Sequence, residues 1–283
     1  MRIGICCIVK QENLYLRDWV KYYYDMGVSK IVLYDNNDIN GEYPQQVIGD
    51  YIADGFVEYI DARGKYRYQI EAYQQCYDSH KTEFDWIGFL DIDEYWYLSP
   101  ELSFEDFFSE ERFPNAVGIF LSWLCYGDDN HLHYENKPVY ERFIKPSLPV
   151  YSTPNAVKKC FVKCDDRVAV EFIDANGFNS WSVCEGVDFT SYTADGDFFR
   201  NELKWVYENS FIKHYRTLTI NEFLYRRFGR RGYADLESPQ QKEFILNMFW
   251  EQNEWTDEKQ KIIDEFFKDF DLVEDVPENC PYL

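Results

Sequence analysis

Two aspartates, Asp91 and Asp93, close the stretch Trp86-Ile87-Gly88-Phe89-Leu90-Asp91-Ile92-Asp93-Glu94-Tyr95-Trp96. The run from Trp86 to Leu90 reads as a strand buried on both faces that ends abruptly in carboxylates. If the strand continues through them, alternation puts both acids on one side and Ile92 on the other. Adjacent carboxylates at the end of a buried strand repel each other unless a cation sits between them. A divalent metal carrying a phosphorylated ligand meets that need. An acidic exit into a solvated turn accounts for the same residues, because so short a pattern often matches by chance.

The elements that must position this stretch precede it. Residues 3–9 read as a first buried strand, followed by the polar Lys10-Gln11-Glu12 and by Asn13 as a helix N-cap. Leu16, Trp19, Val20, Tyr23 and Met26 then recur at helical spacing until Gly27 stops them. A second strand over 30–34 ends in Asp35-Asn36-Asn37-Asp38. A helix over 43–53 closes near Gly55, and a third strand over 56–60 ends in Asp61. A helix over 66–79 leads to the strand at 86–90. Strand and helix alternating in this way mean a mostly parallel sheet with helices on both faces. Ligands of such sheets collect beyond the carboxyl ends of the strands, where the polar clusters 10–12, 35–38, 61–63 and 91–94 all fall. No Gly-x-Gly-x-x-Gly and no Walker-type loop follows the first strand, which argues against a dinucleotide dehydrogenase or a P-loop enzyme.

The net charge of −22 argues against nucleic acid as a partner and against general attraction to anionic membranes. A phosphorylated ligand would therefore need a metal and a local basic patch. One patch exists: from Arg200 to Gly232 there are eight Lys or Arg against three Asp or Glu. The aromatic share of 19% suits wide, partly wet clefts and aromatic cores alike. The short apolar run at 3–9 lacks the features of a signal peptide, and no stretch is long and apolar enough to span a bilayer. The eight cysteines contain no Cys-x-x-Cys pair, and several sit in apolar runs. These features lead us to expect a reduced, cytoplasmic protein without a zinc site.

Val9-Lys10-Gln11-Glu12 with Trp19 downstream, Ile31-Val32-Leu33-Tyr34-Asp35-Asn36, Ala72-Tyr73 and Trp86 to Glu94 together resemble the glycosyltransferase family 2-like group. The branch they resemble most lies close to glycosyltransferase family 92. The order and spacing of the motifs carry the resemblance, which covers about residues 1–235. It implies a GT-A fold, a nucleotide-sugar donor, and Mn²⁺ or Mg²⁺ held by Asp91 and Asp93. Lys10, Glu12, Asp35, Asn36, Gln69, Tyr73, Asp91, Lys213 and Arg216 would lie on the nucleotide side, with Asp35 and Glu12 holding base and ribose. His214, in a His-Tyr element like the family's, would complete the metal site, and imidazole suits manganese beside carboxylates. A histidine in that position also serves purely structural ends. One departure is visible, because the family usually shows Lys-Asn-Glu where this chain has Lys10-Gln11-Glu12.

Farther along, Phe104, Phe107 and Phe108 suggest a short helix, and residues 116–124 a strand running into Trp123-Leu124-Cys125-Tyr126-Gly127-Asp128-Asp129-Asn130-His131. In the family an aromatic-Gly loop lies beside the acceptor, where the attacking hydroxyl needs a carboxylate to take its proton. Asp129 is the candidate base and Asp128 the alternative, with Glu94 placed to act on sugar hydroxyls. Gly-Asp-Asp-Asn is equally an ordinary turn. Residues 139–144 and 157–162 read as strands. Lys158 and Lys159 align with a basic element of the family, and a solvated strand edge explains them too. Residues 177–199, rich in Gly, Ser, Thr and Asp, suit a mobile loop over the cleft. Thr219-Ile220-Asn221-Glu222 is a capping-box pattern that starts a helix. Arg226, Arg227, Arg230 and Arg231 are too closely spaced to share one helical face. From Glu251 to Glu278 the tail carries eleven acids and three lysines. Two amphipathic helices are expected there, anchored by Trp250, Trp255, Ile262, Ile263, Phe266, Phe267 and Phe270.

The expected architecture is α/β: a GT-A, Rossmann-like domain over 1–235 with a helical acidic cap over 236–283. The domain would divide into a nucleotide half over about 1–98 and an acceptor half over about 99–235. The expected activity is metal-dependent, inverting transfer of a sugar from a nucleotide donor, UDP in the first place, to a glycan or lipid-linked glycan. The acceptor offers the only expected membrane contact, a peripheral one, and the setting would be polysaccharide biosynthesis. A nucleotidyltransferase acting on a sugar phosphate also pairs aspartates with metal on a parallel sheet. It would be expected to carry a Gly-rich basic loop after the first strand. A carbohydrate-binding protein that kept the fold and lost the chemistry is the third reading.

Overall fold

A computed structural model describes residues 1–109, 118–148, 158–164, 170–172, 181–183, 190–191, 208–229 and 239–268. The chain divides into two units that interleave along the sequence. The first comprises Met1–Leu124 and Val150–Lys213, the second Cys125–Pro149 and His214–Leu283.

The first unit is built on the expected alternation: β1 (Ile3–Val9), α1 (Asn13–Met26), β2 (Lys30–Asp35), α2 (Gln45–Ala53), β3 (Val57–Asp61), α3 (Gln69–His80) and β4 (Trp86–Phe89). Strands β1 and β2, β2 and β3, and β1 and β4 pair in parallel. Their carboxyl ends therefore point the same way, and the polar clusters gather on one side of the sheet. The sheet goes on through β5 (Glu94–Leu98), β6 (Gly118–Cys125), β7 (Lys158–Lys163) and a strand at Ser210–His214, in the order β3-β2-β1-β4-β7-β6-(Ser210–His214)-β5. Strand β7 runs antiparallel to both β4 and β6. The sheet is thus mixed but parallel over the half that begins the chain. Two further short strands, Val170–Phe172 and Trp181–Val183, form a separate hairpin.

The core of this unit is aromatic and includes thiols. Cys6, Val32, Tyr34, Ala72, Tyr73, Cys76, Tyr77, Ile87, Phe89, Cys160 and Val162 form one buried cluster between α3 and the sheet. Gly88 marks a close approach: a Cβ there would lie 2.5 Å from the Phe161 ring of β7. The missing side chain thus lets β7 pack against β4. At Gly27, φ of 87° provides the left-handed cap that ends α1.

Several boundaries differ from the sequence expectation. Asn13 is the first helical residue rather than the cap; its backbone amide donates to Glu42 Oε2 and its side-chain amide to the Tyr43 carbonyl. Strand β4 stops at Phe89, so Asp91 and Asp93 sit in a turn and not on a continuing strand. Residues 139–142, read as strand, form a short helix of the second unit, Val139–Arg142. The segment 177–199 lies outside the described residues except for 181–183 and 190–191.

The second unit is helical. Thr219 and Glu222 form the expected capping box at Ile220–Leu224, which passes into a π-type turn over Tyr225–Gly229. Helices Pro239–Trp250 and Asp257–Lys268 follow. One tail helix therefore begins well before the expected position. Phe270, Arg230 and Arg231 lie outside the described residues. Ile220, Phe223, Leu224, Phe228, Ile245, Phe249, Ile263 and Phe266 pack together as the core of this unit. Arg142 and Glu222 are buried in it as a bidentate pair, both bonds 2.8 Å. No helix among the described residues is long and apolar enough to cross a membrane.

Candidate functional site

The turn after β4 is fixed from three directions. Its own backbone closes it: the Glu94 amide donates to the Asp91 carbonyl at 3.1 Å. The Asp91 amide in turn donates to Glu94 Oε2 at 2.9 Å. Helix α1 holds the far side, where the Trp19 indole and the Tyr23 hydroxyl both donate to the Glu94 carbonyl. The amide of Leu90 donates to the Cys6 carbonyl of β1. Asp91 and Asp93 are partly exposed, whereas Ile92 between them and Glu94 after them are buried. The two acids therefore face outward, as the alternation argument expected, although a turn produces the pattern.

Three side chains reach Asp91. Gln69 Nε2 and the Tyr73 hydroxyl, both on α3, lie 3.4 Å from Oδ1. Lys159 of β7 donates to Oδ2 at 2.7 Å and lies 3.1 Å from Glu94 Oε2. Of the expected nucleotide-side residues, the structure thus brings Gln69, Tyr73 and Asp91 together, with Glu94 beside them. Lys159 is no solvated strand edge: its side chain is 3% exposed. Burial works against its charge, but Asp91 and Glu94 outweigh it and hold the ammonium above its ordinary value. Burial pushes the Glu94 carboxyl up to about 8; Lys159 opposes that shift, while Asp91 and Asp93 add to it. The signal for Lys159 was present in the sequence, a lysine followed by the apolar Cys160-Phe161-Val162, but only the register of β7 on β4 and β6 shows where its ammonium goes.

The loops beyond β1, β2 and β3 form a second network around Asp35. This side chain is fully buried, and its carboxylate is bonded to groups of the chain itself. Its Oδ1 accepts from the amide and side chain of Asn37, and its Oδ2 from the Tyr59 hydroxyl and Arg63 Nη1. Burial and the bond to Asp35 push the Tyr59 phenol up to about 12. Arg63 goes on to the carbonyls of Gly41 and Glu42 and stacks over Tyr43. Asn36 ties the same loops by donating to the carbonyls of Ala62 and Lys65. Lys10 pairs with Asp38 at 3.0 Å, and Glu12 occupies the N-cap position of α1. Gln11 has φ of 55°, and its amide donates to Asn37 Oδ1. Asn is the non-glycine residue most at ease in that left-handed region, so the departure Asn to Gln at this position carries a conformational cost. Asn37 and Arg63 lie in the strand-end clusters that the sequence marks, but their bonds to Asp35, and Tyr59 altogether, were not legible there, because they depend on the parallel register of β2 and β3.

Lys213 belongs to the first unit, half-buried with its ammonium over the Tyr97 ring at 5.3 Å, and burial lowers its pKa. His214, Arg216, Asp128 and Asp129 belong to the second unit. His214 is buried, and its carbonyl accepts from the Tyr126 amide. Arg216 is partly buried with no ion-pair partner among the described residues. Asp128 is buried, pairs with Lys259 at 2.6 Å, and its amide donates to Asn253 Oδ1. Asp129, at φ 46°, accepts on Oδ2 from the amides of Ile144 and Lys145. The turn reading of Gly-Asp-Asp-Asn therefore holds, with His131 N donating to the Asp128 carbonyl.

Among the described residues, the one place where three metal-ligating side chains converge is Glu58, His80 and Glu83. Lys30 already pairs with both glutamates there, at the amino end of β2. That cluster has its cation.

The model of glycosyltransferase family 92 matches residues 3–225. A family 92 protein of Arabidopsis thaliana is 25% identical over 136 residues, which is 44% of this chain and 21% of that protein. One of Ricinus communis is 24% identical over 123 residues, with the same shares. The match thus spans about a fifth of the length of these curated relatives. Among solved structures, S. aureus TarS 1–349 is similar at 8% identity and a TM-score of 0.37, covering 58% of this chain and 47% of that one. A TarS 1–349 structure in complex with UDP gives a TM-score of 0.36 at the same identity and coverage. With the family model covering well over half of its residues, the chain belongs to glycosyltransferase family 92.

Proposed function

We propose that this chain transfers a sugar from a nucleotide donor, UDP in the first place, to a hydroxyl of a glycan or lipid-linked glycan. The observation that carries the reading is the Asp91–Glu94 turn at the carboxyl end of a parallel strand, pinned by α1, α3 and β7. Family membership supports it.

The family implies a divalent ion, and the donor set fits one. Asp91 and Asp93 are partly exposed carboxylates, and hard oxygen donors of this kind hold Mg²⁺ or Mn²⁺ together with phosphate oxygens. Asp91 and Asp93 would hold the ion. Bound there, it would neutralise charge on the departing diphosphate. Gln69 and Tyr73 orient Asp91 toward the donor, and Lys213 of the same unit contributes positive charge for the phosphates. In the transfer, an acceptor oxygen attacks the anomeric carbon in line and with inversion. The bond to the diphosphate breaks, and the nucleoside diphosphate leaves with the electron pair. The acceptor proton goes to a carboxylate.

The nucleotidyltransferase reading lacks its Gly-rich basic loop, since β1 runs directly into Lys10-Gln11-Glu12. Calorimetric titration with UDP, with and without Mn²⁺, beside Asp91→Ala/Asp93→Ala decides the matter. Metal-dependent binding that the variant loses is the expected result. Unchanged binding in the variant would move the donor away from this turn. Failure of UDP, GDP and CDP to bind at all would leave a carbohydrate-binding protein as the better reading.

A further inference from the structure

The acidic turn contains a cation of its own. The Lys159 ammonium lies between Asp91 Oδ2 and Glu94 Oε2, and the lysine side chain is 3% exposed where that of Asp91 is 39% exposed. Lysine normally keeps its ammonium in water on a flexible stem. Here the stem is fixed on both sides. Leu121 of β6 stands opposite Lys159, and two residues along β7 the Phe161 ring fills the space that Gly88 of β4 leaves open.

Glu94 is equally immobile, with Oε2 accepting from the Asp91 amide and Oε1 buried without a hydrogen-bond partner. Asp91 is thus the member of this trio that opens outward, and one of its oxygens is already bonded to a fixed positive charge. A divalent ion that approaches Asp91 meets Lys159 at Oδ2, and at Oδ1 it meets the Gln69 amide and the Tyr73 hydroxyl. Two cations within bonding distance of one carboxylate repel each other, and the buried ammonium has no room to withdraw.

We propose that Lys159 is a positioning residue of the donor site, a built-in cation that sets the Asp91 carboxylate and limits how strongly the turn binds a divalent ion before nucleotide arrives. The proposal rests on the reading of this turn as the donor site. A nucleoside diphosphate would supply the further oxygens such an ion needs, so ion and nucleotide would bind together better than either alone.

The test is Mn²⁺ affinity without nucleotide, read from the paramagnetic resonance signal of the free ion, for wild type, Lys159→Met and Lys159→Arg. Removing the competing charge should tighten Mn²⁺ binding about ten-fold or more, which is about 1.4 kcal/mol. Lys159→Arg keeps the charge and should stay near wild type. Equal Mn²⁺ affinity in Lys159→Met and wild type overturns the proposal, even where the variant melts at a lower temperature. Should Lys159→Met not fold, Lys159→Met/Glu94→Gln removes one charge of each sign and leaves no unpaired buried carboxylate. Tighter Mn²⁺ binding than in Glu94→Gln alone is expected of it, and affinity equal to that of Glu94→Gln is again fatal. UDP titration of the wild type is a separate measurement: its failure removes the donor-site function, while the Mn²⁺ comparison still decides whether Lys159 governs the turn.

Discussion

The Trp19 indole N–H donates to the Glu94 carbonyl at 2.8 Å, which ties the middle of α1 to the residue that follows the two aspartates. Trp19 is fully buried, and the Tyr23 hydroxyl reaches the same oxygen from one turn farther along the helix. Trp19→Phe keeps much of the bulk and removes one of the two donors. It should cost about 1 kcal/mol for the bond, plus some loss of packing, in a urea titration. UDP affinity should fall with it, because α1 then holds the turn through Tyr23 alone. Lost stability with unchanged UDP affinity would show that α1 supports the fold without placing the turn.

Asp35 and Asp91 both sit at carboxyl ends of parallel strands, yet their surroundings separate their roles. Asp35→Asn replaces an acceptor of four hydrogen bonds with a group that must donate on one side. A loss of about 2 kcal/mol or more is expected, with nucleotide affinity reduced only through the distorted loops. Asp91→Asn acts on a partly exposed carboxylate and leaves Lys159 paired with Glu94, so about 1 kcal/mol or less of stability is expected to go. Metal-dependent nucleotide binding should be abolished. Denaturant melts and calorimetry on both variants check the contrast, and the reverse pattern would exchange the two roles.

The pair Arg142 and Glu222 is buried on both sides and joins two helical segments of the second unit. Arg142→Met leaves a buried carboxylate without its partner and should cost about 3–5 kcal/mol. The double change Arg142→Met/Glu222→Leu removes both charges but also the capping box at Thr219, itself worth about 1 kcal/mol. The double variant should therefore be more stable than Arg142→Met alone. A double variant no more stable than the single one would mean that the pair is worth more than the desolvation it relieves.

Burial holds the thiols of Cys6 and Cys7 well above their ordinary value, and those of Cys160 and Cys164 go up to about 12 from the same cause. A raised thiol pKa leaves the neutral form in place at pH 8, and the thiolate is the nucleophile. Native protein at pH 8 should leave these four unmodified by iodoacetamide, while the urea-unfolded chain is labelled at all of them. Peptide mass mapping reads the difference. Rapid labelling of Cys160 in the native protein would mean that β7 opens, and Lys159 with it.

What the sequence by itself determined about this protein is the part that local pattern controls. Apolar runs ending in Asp35, Asp61 and Asp91, with helical periodicity between them, leave little room for anything but parallel strands whose carboxyl ends share one side. The capping box at Thr219 and the stop at Gly27 were legible because each needs only a few neighbouring residues. Tertiary structure alone decided which polar residues the fold consumes. Asp35, Asp128 and Asp91 read alike in the sequence. Arg63 is 28 residues from Asp35, Lys259 is 131 from Asp128, and Lys159 is 68 from Asp91. A carboxylate becomes structural when a distant cation and buried donors converge on it, and convergence of that kind is a property of register and packing rather than of spacing along the chain.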